Sequence, residues 1–169
     1  MESENNLITN EATQNQMQEE QLNIDKSRDY NNECLSFALK RCSRAITQIY
    51  DHSLSGTGIR STQFNLLMAI ATSETRTLTQ LAKILVMDRT TLTRNIKPLE
   101  KLALIQSVPS KDKRSKSYSL TEKGEMLLKE ALPIWNRVQS QVKDVFPVEQ
   151  ELQEFINFLG KVVEKSRRI

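Results

Sequence analysis

A chain of 169 residues is long enough for one domain with a sizeable core and too short for two large ones. Its 5% aromatic content and four glycines suit a mostly helical protein better than a sandwich or barrel, and no apolar stretch approaches the roughly 18 residues of a membrane span. The net charge of +3 conceals an acidic start, six acids against one lysine over residues 1–26, and a basic middle, ten bases against four acids from Thr77 to Gly124.

Residues 1–27 are rich in Asn, Gln and Glu and lack apolar periodicity, which predicts a disordered tail. The tail is acidic and polar, unlike a signal or transit peptide, so the expected location is the cytoplasm. From about Asp29 a helix is predicted, with Leu35, Ala38, Leu39, Cys42, Ala45, Ile46 and Ile49 forming a stripe that breaks between His52 and Gly58. Ser61 or Thr62 is placed to cap a second helix with Phe64, Leu67, Met68 and Ala71 inward. Thr77 is placed to cap a third, with Leu78, Leu81, Ala82 and Leu85 inward. Asp88 offers a carboxylate to the exposed amides of a fourth, expected to bury Leu92, Ile96, Leu99 and Ala103 and to bend at Pro98.

Leu104–Val108 and Lys116–Leu120 alternate as paired strands around a charged turn. Thr121 then caps a fifth helix, with Glu122 well placed against its dipole. Met126, Leu127, Leu128, Ala131, Ile134, Val138, Val142 and Val145 are its apolar residues, and Pro133 is a candidate kink. A last helix presents Val148, Leu152, Phe155, Ile156, Leu159 and Val163.

That order is a winged helix-turn-helix, so the expected fold class is mostly α (α+β). The winged domain, with its small β-hairpin, spans residues 59–122. It is flanked by dimerisation helices over 28–58 and 123–169. The first, fifth and sixth helices carry more apolar face than the small winged core can cover, which predicts a homodimer.

The fourth helix carries the chemistry. With Leu92, Ile96 and Leu99 turned inward, Arg89, Thr90, Thr91, Thr93, Arg94 and Lys97 lie outward or on the flanks. Short hydroxyls allow close approach to phosphates and base edges, and an arginine can fork onto guanine N7 and O6. Arg94 is the leading base reader. Cations opposite an apolar stripe are usually just a solvated face. Here a second basic element follows at the hairpin tip, where Lys111, Lys113 and Arg114 can reach phosphates or the minor groove. Double-stranded DNA is therefore the expected partner.

The alternative is a winged-helix module that binds protein without DNA. An enzyme has little support, because His52 is the only histidine and no acid–base or metal-ligand constellation exists, nor any sign of a cofactor.

The stretch LTQLAKILVMDRTTLTRNIKPLEKLALIQSVPSKDKRSKSYSLTEKG resembles the MarR family of bacterial winged-helix regulators. The matching pieces are DRTTLTRNIKPLEK for the recognition helix, DKR at the wing tip and LTEKG opening the next helix; the likeness runs from about Asn32 to Gln141. It implies an obligate homodimer on a pseudo-palindromic operator, commonly a repressor, with Asp112 positioning Arg114 rather than touching DNA. Val86 stands where many helix-turn-helix turns carry glycine.

The input signal is expected to be a small ligand or thiol oxidation. Cys34 and Cys42, the redox candidates, are eight residues apart, about 12 Å along one helix, too far to bond within a chain. Core packing is the first expectation for Cys42. ECLSFALKRCSRA resembles the first helix of the family's organic-peroxide-sensing branch, but Ser36 occupies the position of that branch's reactive cysteine. In the family a ligand pocket sits between the dimerisation helices and the winged domain. Phe37, His52, Phe64 and Met68 are the residues here that could line it, though each is more often plain core.

Overall fold

The structure, a computed structural model, describes residues 33–109, 116–145 and 148–166. The chain divides into two compact units, one ending at Ile46 and the other running from Thr47 to Ile169. Helix α1, Leu35–Leu54, begins in the first unit and ends in the second. Its expected start near Asp29 lies outside the described residues.

Within the first unit the apolar stripe of α1 is open. Leu35, Ala38, Cys42 and Ala45 are exposed, and Phe37, Leu39 and Ile46 are half-buried. Cys42 was expected to pack in a core; among the described residues it is exposed, with nothing packed over it. Arg41 lies over the Phe37 ring, 5.6 Å from its centre.

The second unit holds the core. After a single 3-10 turn at Ser55–Thr57, helix α2, Ser61–Ala71, buries Phe64, Leu66, Leu67, Ala69 and Ile70. Its start differs from the expected hydroxyl cap. Arg60 is the cap residue, its N–H donates to Gln63 Oε1 at 2.9 Å, and the Ser61 N–H donates to Asp51 Oδ1 at 2.7 Å. A carboxylate from the end of α1 thus does the work of a local cap. The Ser61 side chain, followed by its N–H and by Arg60, holds the Asp51 carboxyl below its ordinary value despite some opposing desolvation.

Strand β1, Arg76–Thr77, leads into α3, Leu78–Leu85. Thr77 and Gln80 cap each other reciprocally: Gln80 N–H donates to Thr77 Oγ1 at 3.2 Å and Thr77 N–H to Gln80 Oε1 at 2.8 Å. Val86 ends α3 in the left-handed region, φ 53° and ψ 45°. A β-branched side chain is rarely held there, and it stands where glycine would sit without cost.

Helix α4, Arg89–Lys101, follows after three residues and buries Leu92, Ile96 and Leu99. It ends before Ala103, which was expected in the core and is exposed at φ 54°. The reason is a Schellman turn: Ala103 N–H donates to Glu100 O at 2.9 Å and Leu104 N–H to Leu99 O at 3.0 Å.

Strands β2, Ile105–Pro109, and β3, Lys116–Leu120, pair antiparallel with Ile105 opposite Leu120 and Pro109 opposite Lys116. β1 adds to the far side of β3, with Arg76 opposite Tyr118, so the order is β1-β3-β2. Burial pushes the Tyr118 phenol pKa up, and the Glu100 charge adds to the shift.

Helix α5, Glu122–Lys143, contains Pro133 and buries Gly124, Leu128, Ala131 and Val138. Trp135 of α5 lies 6.1 Å from the Phe64 ring and 6.5 Å from Tyr50, whose hydroxyl donates to Gln139 Oε1. Helix α6, Glu149–Ser166, buries only Leu152. No helix among the described residues is long and apolar enough to cross a membrane.

Candidate nucleic-acid interface

The outer face of α4 is built from its cap upward. Asp88 Oδ1 accepts the Thr91 N–H at 2.9 Å and its Oδ2 accepts the Thr91 hydroxyl at 2.6 Å. Those bonds hold the Asp88 carboxyl below its ordinary value, the Thr91 hydroxyl contributing most. Capping fixes where the helix begins, and therefore which residues leave its first two turns outward. Leu92, Ile96 and Leu99 fix its rotation, since all three are essentially inaccessible.

Arg89, Thr90, Thr93, Arg94 and Lys97 share one side, where with Leu78 of α3 they line a groove of about 530 Å³. Among the described residues its lining holds three cations and no acid, a positive potential suited to a polyanion. The Thr93 hydroxyl donates back to Arg89 O at 2.7 Å, tying it to the helix backbone. Thr91 is exposed but is engaged by Asp88, and it is not among the groove's lining residues. Lys111, Asp112, Lys113 and Arg114 lie outside the described residues; β2 and β3, on either side of them in sequence, pair with each other.

Two contributions escaped sequence reasoning. Leu78 was assigned to the core, and it does pack against it while also reaching the groove. The second lies at the far end of α4. Thr121, the cap of α5 through Gly124 N–H at 3.1 Å, also donates its hydroxyl to Ala103 O at 2.6 Å. Lys123 Nζ donates to Leu102 O at 2.9 Å. A side chain on Gly124 would place its Cβ 2.0 Å from Leu104 O, so only glycine permits this approach. The signal was the LTEKG segment itself, which marks a helix start but not the partner it is pressed against.

The candidates for signal input fall in both units. Cys34 is half-buried and Cys42 exposed, both in the first unit with Phe37. In the second unit Phe64 is buried against Trp135, Met68 is half-buried against the core and His52 is exposed near the end of α1. Among the described residues no group of three or more His, Cys, Asp or Glu side chains could hold a metal ion.

Three helices, a three-stranded antiparallel wing and an outward basic helix define the winged helix-turn-helix class. A sequence model of the MarR family matches residues 57–115. MosR, a Mycobacterium tuberculosis transcriptional regulator solved in complex with DNA, is 33% identical with a TM-score of 0.72, over 80% of this chain and 99% of that one. SarZ, an HTH-type transcriptional regulator of Staphylococcus haemolyticus, is 28% identical over 78% of this chain and 88% of its own. Escherichia coli MarR in its apo form, 22% identical with a TM-score of 0.62 over 76% of this chain and 96% of that one, shares the fold. This chain belongs to the MarR family. It is a transcriptional regulator, and the family and these relatives are not enzymes.

Proposed function

We propose that the protein is a homodimeric repressor that binds a pseudo-palindromic operator and acts in the cytoplasm. The groove on α4 carries the reading: three cations and two threonines converge on one side of a helix whose other side is locked into the core. Arg94 is assigned to a base edge, Arg89 and Lys97 to phosphates or neighbouring bases, and Thr90 and Thr93 to close approach. Thr91 serves the interface by holding the cap. Lys111, Lys113 and Arg114 reach the flanking minor groove, with Asp112 positioning Arg114. That MosR is solved in complex with DNA supports the assignment.

The dimer rests on large apolar side chains that remain solvent-exposed. In α6, Phe155, Ile156, Phe158 and Val163 are exposed, as are Met126 and Leu132 in α5 and Leu35 and Ile49 in α1. Large side chains of this kind stabilise by about 1.5–3 kcal/mol each when fully buried. A second copy would cover them through residues 28–58 and 123–169 and set two recognition helices about one DNA turn apart. Release follows when a small ligand, or oxidation at Cys34 or Cys42, alters that spacing.

The test is selection from random duplex DNA followed by titration against salt. The proposal expects one enriched inverted repeat and a steep loss of affinity with salt, from release of counterions. Absence of sequence enrichment would defeat it, and salt-independent capture of a protein partner would point to an interaction module instead.

A further inference from the structure

The recognition helix is tied to α5 at three consecutive carbonyls. Leu102 O accepts Lys123 Nζ at 2.9 Å, Ala103 O accepts the Thr121 hydroxyl at 2.6 Å and Leu104 O accepts the Thr121 N–H at 3.1 Å. These carbonyls follow the last turn of α4, and the donors are the cap and the first turn of α5. The negative end of one helix dipole therefore meets the positive end of another, with an ammonium group at the junction. Gly124 closes the contact by letting the α5 backbone come within van der Waals range of Leu104 O, where any Cβ would collide.

We infer that Thr121, Lys123 and Gly124 form a rigid joint through which α5 sets the orientation of the recognition helix, with Lys123 as a positioning residue for operator reading. The inference rests on the dimeric DNA reading proposed above. Along α4 the bonds at its start are local, Asp88 to Thr91, and travel with the helix. Core packing of Leu92, Ile96 and Leu99 resists rotation about the helix axis. Among the described residues, the hydrogen bonds from Thr121 and Lys123 are the ones that tie its C-terminal end to α5, a helix of 22 residues. α4 has 13 residues, about 20 Å of length, so a small freedom at that end becomes a larger displacement of Arg89 and Thr90 at the other. Releasing the joint should leave each half-site legible while loosening the distance between the two.

Lys123 is exposed, so its replacement leaves the core intact. The experiment uses the full chain and a duplex library with two copies of a randomised half-site at varied separations. Wild type is expected to enrich one half-site sequence at one separation. Lys123→Met should enrich the same half-site sequence over a spread of separations. It should bind the preferred separation roughly tenfold more weakly, the scale of one lost charged hydrogen bond. Lys123→Arg should restore both the single separation and the affinity. A merely structural staple would lower the melting temperature and move neither. If Lys123→Met keeps one separation at wild-type affinity, the joint is overturned while the operator reading stands. If wild type enriches no paired half-sites, the operator reading itself fails and the joint falls with it.

Discussion

Helices α4 and α6 are both amphipathic, yet one has its apolar face closed and the other open. In α4 the three inward residues, Leu92, Ile96 and Leu99, are at most 1% exposed, and the outer face carries cations. In α6 one apolar residue is buried, while Phe155, Ile156, Phe158 and Val163 are 37–51% exposed. A helix whose stripe is already satisfied is free to offer its other side to a polyanion. A helix whose large apolar side chains are exposed gains by burying them against protein. The contrast is what the proposal of DNA for the first and a second chain for the second rests on, and it can be broken by exchanging what each face is asked to do.

The largest effects should come from the apolar faces. Leu92→Ala removes a fully buried side chain and should destabilise the protein by about 2–5 kcal/mol, read by denaturant unfolding. Ile156→Asp should leave the monomer folded and convert dimer to monomer in sedimentation, with operator affinity falling alongside. If Ile156→Asp unfolded the chain as Leu92→Ala does, the α6 face would belong to the monomer core and the contrast would collapse. Next in size is Arg94→Ala, expected to cost about 1–3 kcal/mol of discrimination at one base pair in binding measurements. Its melting temperature should stay unchanged, because Arg94 is exposed. Equal affinity and unchanged base preference would remove α4 from base reading.

A smaller effect concerns the turn that launches α4. Val86 is 57% exposed at φ 53°, so it contributes little packing to offset its backbone conformation. Val86→Gly should relieve a strain of about 1–2 kcal/mol while adding flexibility to the unfolded chain, a net gain of about 0.5–1 kcal/mol. A loss of stability would mean that the valine side chain holds the turn.

What could be read from the residues was whatever acts over one or two turns. Thr77, Asp88 and Thr121 were recognisable as caps because each lies three residues before the amide it accepts. The inward set Leu92, Ile96 and Leu99 followed from helical period alone. Ala103 continued that period, but the Schellman turn stopped the helix first, and no glycine marked the stop. Asp51 capping α2 from ten residues away was invisible, as were the bonds from Lys123 to Leu102 and from Thr121 to Ala103, which span 21 and 18 residues. Such links depend on how elements pack, which periodicity does not encode. The exposure of Cys42 belongs to the same class: an apolar stripe announces burial without saying which chain supplies the cover.

Asp51 offers the smallest and most selective prediction. Its carboxyl is held below the ordinary value of 3.8, first by the Ser61 side chain, then by the Ser61 N–H and by Arg60. Because the folded pKa is depressed, the ionised group contributes stability that is fully present above the unfolded value. That contribution is lost as pH falls through the folded one. Asp51→Asn keeps an acceptor for the Ser61 N–H but removes the charge. Wild type should therefore melt slightly above the variant at neutral pH, and the gap should close as pH drops below about 3.8. Asp88, with a carboxyl lowered by Thr91, caps α4, the helix that lines the basic groove, and follows the same rule. The two can be separated by what else changes. Loss of the Asp51 charge should loosen α2 and leave operator affinity at neutral pH intact, whereas Asp88→Asn should reach the reading face directly. A gap for Asp51→Asn that persisted unchanged at low pH would show that hydrogen-bond geometry, and not ionisation, joins α1 to α2.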